Sequence, residues 1–146
     1  MGLVERQQAI LEEFSKINNW EDRYKKIISM GKAMADLPEN LRTEESKVKG
    51  CQSQVWLHAQ LSDQGRIQLQ GDSDALLVKG LVALLIYVYN DSTPAEILGN
   101  SADFLSKMGF ESHLSRSRTN GLFSMVKQIR HFAMAFQVLL QSKFPS

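Results

Sequence analysis

Between Ala75 and Tyr89 the chain is apolar nearly all round, with Lys79 its only charged residue. A membrane span needs about 20 apolar residues, and this run is shorter and broken by Lys79 and Gly80. It therefore reads as a helix buried in a core, and such a helix must be covered on most of its sides. The rest of the 146 residues has to supply that cover. The length suits one compact domain, 1–146, which can bury a core without metal or disulfide staples.

The flanking patterns provide the cover. Ile10, Leu11, Phe14 and Ile17 recur at helical spacing. Asn18 or Asn19 can cap a second helix, because a short polar side chain satisfies free backbone N–H groups. Trp20, Tyr24, Ile27, Ile28, Gly31 and Met34 form its apolar face. The stretch from Ala35 to Lys49 is polar and predicts a surface loop. Val55, Leu57, Ala59 and Leu61 then alternate with Gln54, Trp56, His58 and Gln60, the period of a strand. Ser62-Asp63-Gln64-Gly65 is turn chemistry, with Gly65 free to take positive φ. Ile67 and Leu69 continue the alternation, so the two runs predict an antiparallel hairpin. Two strands alone are marginal, which points to a third just before Cys51.

Downstream, Gly71-Asp72-Ser73-Asp74 is expected to end the second strand and cap the buried helix. Thr93-Pro94-Ala95-Glu96 is a capped helix start with proline where its missing N–H costs nothing. Ser101 can cap a short helix ending at Gly109. Leu122, Met125, Val126, Ile129, Phe132, Ala133, Phe136 and Leu140 mark a long amphipathic helix. The expected class is α+β, a small antiparallel sheet of about three strands packed with helices.

Charge excludes several functions. Seventeen Lys+Arg oppose sixteen Asp+Glu, a net charge of +1, so there is no global attraction to nucleic acid or an anionic membrane. Arg116, Arg118, Lys127 and Arg130 fall along the last helix, but without interleaved aromatics they read as a solvated face. His58, His113 and His131 are scattered, and no His-x-x-x-His or Cys-x-x-Cys pair suggests a metal. No P-loop and no Gly-x-Gly-x-x-Gly predicts a bound cofactor. Glu5, Arg6, Gln7 and Gln8 interrupt any signal-peptide core, and Arg6 stands where a myristoylation site requires Ser or Thr. With one cysteine there is no internal disulfide, and the expected compartment is the reducing cytoplasm.

That cysteine, Cys51, lies in Lys47-Val48-Lys49-Gly50-Cys51-Gln52-Ser53-Gln54-Val55-Trp56, where a loop meets a strand. Gly50 lets the backbone turn tightly, and Lys47 and Lys49 could favour the attacking thiolate. A nucleophile and a small apolar filler both fit this position. A Cys51–His dyad would make a cysteine hydrolase, although no hydrolase signature surrounds Cys51.

Gly50-Cys51-Gln52-Ser53-Gln54-Val55-Trp56, then Gly71-Asp72-Ser73-Asp74-Ala75, then Val78-Lys79-Gly80-Leu81, resemble the SufE family of sulfur-acceptor proteins. Ser117-Arg118-Thr119-Asn120-Gly121-Leu122 and Asn19-Trp20-Glu21 extend the likeness over roughly Phe14 to Ile129. The resemblance implies an α+β fold similar to IscU-type iron–sulfur scaffolds. It implies that Cys51 accepts persulfide sulfur from a SufS- or CsdA-type cysteine desulfurase, stimulates that enzyme, and passes the sulfur to a scaffold. Pyridoxal phosphate would belong to the partner, so the chain itself would carry no cofactor beyond a transient Cys51 persulfide. The chain would then be a transfer protein rather than an enzyme turning over a small molecule alone. A docking regulator that accepts no sulfur is the alternative. CsdE, a close relative, shares the motif, so the motif does not choose between desulfurases.

The resemblance also implies that the cysteine rests towards an apolar cavity. An exposed persulfide carrier would be easily over-oxidised, so our own expectation is that the Lys49–Ser53 loop flips outward when a desulfurase docks. Gly50, Gln52, Ser53, Asp74 and Arg118 are the candidate supports. Gln52, Ser53 and Gln54 can orient the loop or simply cap the strand. Asp72 and Asp74 read first as helix caps, with Asp74 also restraining the loop. Arg118 matches the family's arginine, as a contact to the desulfurase or a hold on the loop. Trp56 reads as packing. Arg116 departs from the family, which more often has proline or a small residue there. The tail from Met134 to Ser146 is apolar in its first half and can pad the core or support self-association.

Overall fold

The computed structural model describes residues 2–143. Two helices, α1 (Leu3–Ser15) and α2 (Trp20–Ala33), lead into a loop with a 3-10 turn at Glu39–Leu41. The hairpin β1 (Val55–Leu61) and β2 (Ile67–Ser73) follows. Then come α3 (Leu76–Tyr89), α4 (Pro94–Gly99), α5 (Asp103–Lys107), α6 (Phe110–His113) and the long α7 (Arg116–Lys143). This is an α+β fold.

The apolar run is the centre of the molecule, as its composition demands. Leu81, Val82, Leu84, Leu85 and Val88 of α3 are fully buried, covered by α1, α2, α7 and β2. Coverage by α2 is unusually close. A Cβ on Gly31 would stand 2.7 Å from the Gly80 nitrogen, and one on Gly80 would collide with the Ile27 carbonyl. The two glycines thus let the helices approach backbone to backbone where any side chain would wedge them apart.

The hairpin pairs in one register from Val55↔Ser73 to Leu61↔Ile67. Its turn is closed by the Ser62 N–H donating to the Arg66 carbonyl at 2.8 Å, with Gly65 at φ +75°. The expected third strand does not form: the sheet has two strands among the described residues. The segment before Cys51 makes a single bridge, Lys47 to Trp56, between a turn at Thr43–Lys47 and the reversal at Gly50. That leaves no length for a ladder. The other edge is treated alike, by one bridge from Ile67 to Ser92 and by Asn90 Oδ1 accepting the Leu69 N–H at 2.7 Å. Both edges are plugged locally, and the helices do the stabilising that a third strand would have done.

Several ends follow the sequence reading. Asn19 caps α2 by accepting the Asp22 N–H, and Thr93 with Glu96 forms a capping box on α4. Others do not. The first helix starts already at Leu3 and ends at Ser15, short of Ile17. Arg130, expected on a solvated face, instead donates to the Ile97, Leu98 and Asn100 carbonyls and caps the C-terminal end of α4. The tail to Lys143 continues α7. Phe136 and Leu140 lie against the hairpin turn, while Met134, Val138 and Leu139 are exposed. Phe144, Pro145 and Ser146 lie outside the described residues.

Asp72 is also not a helix cap. The strand runs on to Ser73, which buries the Asp72 side chain. Its carboxylate accepts the Leu37 N–H at 2.9 Å and the Ser73 N–H at 2.8 Å. It pairs with Arg42 at 2.7 Å and Lys79 at 3.4 Å. Burial alone would raise its pKa, but the Leu37 and Ser73 N–H groups and the Lys79 charge outweigh it and hold the carboxyl below the usual range. A carboxyl depressed in the folded state stabilises above the unfolded value of about 3.9 and loses that contribution as pH falls through the lowered one. Asp72→Asn is therefore expected to cost about 3 kcal/mol at neutral pH, and to flatten the loss of stability below pH ~4. Urea unfolding across pH measures both; an acid limb identical to that of the wild type contradicts the assignment.

Candidate functional site

The backbone leading to Cys51 is fastened on the upstream side by β1. Val48 donates to the Val55 carbonyl at 2.8 Å, and Leu57 to the Ser46 carbonyl at 2.8 Å. On the downstream side Asp74 is the fastener. Its Oδ1 accepts the Gln54 N–H at 3.0 Å, and its own N–H donates to the Gln54 carbonyl at 3.2 Å. Between Val48 and Gln54 no backbone–backbone hydrogen bond is made among the described residues. At Gly50 the chain takes φ +91°, a conformation that disfavours any residue with a Cβ, and a Cβ there would stand 2.6 Å from Ser124 Oγ of α7. The result is a short free tip, Cys51 to Ser53, held at both ends.

The tip faces inward. Cys51 is half-buried, and its thiol donates to the Gly121 carbonyl of α7 at 3.6 Å. It opens on a cavity of about 220 Å³. Val78 and Leu81 of α3 and Met125 of α7 supply the apolar lining; Gln52, Ser53, Ser115, Ser117 and Arg118 supply the polar one. Burial pushes the Cys51 thiol above its ordinary value. The expected help from Lys47 and Lys49 is not there. Lys47 pairs with Glu44 at 3.1 Å, and Lys49 lines a separate, open groove with Lys127 and His131. The resting side chain is thus a protonated thiol, and activation has to come from a change in its surroundings.

Of the sequence candidates, the structure brings Cys51, Gln52, Ser53 and Arg118 to one cavity. Gly50 and Asp74 do not line it: Gly50 makes the backbone reversal before Cys51, and Asp74 fastens Gln54. Arg118 is exposed and has no acidic partner among the described residues, and its N–H donates to Ser115 Oγ at 3.2 Å at the start of α7. Trp56 is buried under the Arg42 guanidinium, as packing requires. Among the described residues no histidine lines the cavity beside Cys51. Among the described residues no three His, Cys, Asp or Glu side chains cluster as metal ligands would. Sequence reasoning missed Val78, Leu81, Ser115, Gly121 and Met125 as wall residues. The helical period had placed Met125 and the apolar run in the core, but which of them faces the cysteine depends on how α3 and α7 cross.

Residues 8–133 match the family model for SufE, the Fe–S metabolism associated domain. The fold is similar to the solution structure of a hypothetical protein from Thermus thermophilus, with a TM-score of 0.76 at 20% identity, over 91% of this chain and 96% of that one. No helix among the described residues is long and apolar enough to cross a membrane.

Removing the Asp74 carboxylate frees the downstream end of the tip without touching the core. Asp74→Ala is expected to speed amide hydrogen exchange at Gln54 about fivefold, from a hydrogen bond contributing about 1 kcal/mol. NMR exchange rates measure it, and unchanged exchange at Gln54 in the folded variant means that Asp74 restrains nothing.

Proposed function

The chain belongs to the SufE family, and from that premise we propose that it is a sulfur carrier in Fe–S metabolism, with Cys51 as the acceptor. The observation that supports this most is the placement of its single thiol: at the tip of a loop fastened on both sides, over a cavity lined by Arg118, which has no acidic partner among the described residues.

A cysteine desulfurase of the SufS or CsdA type presents its sulfur as Cys–S–SH. The Cys51 thiol gives up its proton, and the thiolate attacks the outer sulfur of that persulfide. The bond between the partner's two sulfurs breaks, and the partner's thiolate leaves and takes up a proton. Cys51 now carries –S–SH, and no net oxidation has occurred. Unloading the desulfurase in this way stimulates its next turnover. An iron–sulfur scaffold then takes the outer sulfur by the same exchange. The pyridoxal phosphate chemistry stays on the partner. One thiolate is too few to hold a cluster, so this chain carries sulfur and does not build clusters.

A thiol held protonated and half-buried is a poor nucleophile and a poor target for oxidants. Docking resolves the conflict between protection and reactivity: the desulfurase turns the Lys49–Ser53 loop outward, and the thiol ionises in the partner's site. Gly50 is the hinge.

Incubation with a cysteine desulfurase, pyridoxal phosphate and cysteine, followed by intact-protein mass spectrometry, tests the proposal. The expected result is a gain of one or more sulfur atoms that maps to Cys51, is reversed by a thiol reductant and is absent in Cys51→Ala. Bound desulfurase without any mass gain would favour a docking regulator instead.

A further inference from the structure

We propose that Gly121 is a positioning residue: it provides the seat that holds the resting Cys51 thiol inward. This rests on the reading of Cys51 as the sulfur carrier, and deepens it by naming what keeps the carrier quiet. The contact is with the helix backbone itself. A Cβ at position 121 would stand 3.3 Å from the Cys51 sulfur and 3.8 Å from its Cβ. The bare backbone lets the sulfur come down onto α7, where the Gly121 carbonyl accepts the thiol hydrogen at 3.6 Å. Gly121 is itself buried, in the second turn of α7, where glycine weakens the helix relative to alanine. A locally unfavourable residue at a place where the thiol meets the helix backbone is what a seat requires.

The seat acts on protonation. A hydrogen bond given by the S–H group exists only in the neutral form, so it favours the thiol over the thiolate. The rest of the surroundings adds to this or opposes it in identifiable ways. Among the described residues, α3 contributes Val78 and Leu81 to the cavity, and both disfavour charge. From α7 it receives Arg118, the one charged lining residue among the described residues, while Lys49 of the loop lines the neighbouring groove. Docking that lifts Cys51 from Gly121 removes the hydrogen bond and the burial together, and leaves the Arg118 charge near the mouth of the cavity.

Gly121→Ala tests the seat in the isolated chain. The methyl group pushes the sulfur outward by a few tenths of an ångström or more. Alkylation of Cys51 by iodoacetamide is expected to rise about threefold or more at pH 7, with the apparent thiol pKa falling towards its ordinary value. A cooperative thermal transition establishes that the variant is folded before its thiol is titrated. In the wild type, the infrared S–H stretching band should lie below that of a thiol in an apolar solvent, and should move up in the variant. A folded variant with unchanged thiol titration, or a wild-type band at the unbonded position, overturns the proposal; if the variant does not fold, the wild-type band decides. Neither readout uses a desulfurase, so failed sulfur transfer overturns the carrier reading alone, and a failed titration overturns the seat alone.

Discussion

The buried carboxylate of Asp72 joins three parts of the chain that are distant in sequence. Through Leu37 and Arg42 it holds the loop after α2, through its own place in β2 it belongs to the hairpin, and through Lys79 it reaches α3. A buried charge is tolerated only when its lone pairs are used, and here backbone N–H groups and two cations use them. The loop it secures is the one that runs on into Cys51. The frame of the functional site is therefore as rigid as this one cluster and the helix contact beneath it, where Gly31 and Gly80 bring α2 and α3 together.

On that frame the cysteine tip is the part left unfastened. Its neighbours on either side are hydrogen-bonded to β1 and to Asp74, and its own backbone, among the described residues, is bonded to no other backbone group. Low local stability between rigid ends is the condition under which a short segment can change conformation without disturbing the core. The inward thiol suits a resting state, because burial and the bond to Gly121 both favour the protonated form. On the proposed reading, protection and reactivity would be separated in time, as two positions of one side chain rather than two residues.

Much of the architecture was legible in local pattern. The apolar run from Ala75 predicted the central helix, and alternation from Val55 to Leu69 predicted the hairpin. Thr93 to Glu96 announced its capping box, and the position of Cys51 before a strand was plain. What was not legible depended on partners far away in sequence. Asp72 looked like a helix cap because the aspartate's neighbours suggest one; its real partners, Leu37, Arg42 and Lys79, meet it only in the fold. Arg130 looked solvated because its acceptors lie at the end of a different helix. Lys47 and Lys49 looked like activators of the thiol because proximity in sequence says nothing of direction, and the chain turns them away at Gly50. The third strand failed for a similar reason, since a segment between two tight turns has the composition of an edge but not the length.

A cysteine loop that moves within a fixed frame should show itself in hydrogen exchange across Lys49–Ser53, measured with and without a saturating cysteine desulfurase. Exchange is expected to change in this loop alone, with the amides of Leu37, Leu57 and Ser73 in the frame unchanged. Identical loop protection with binding independently established would contradict it.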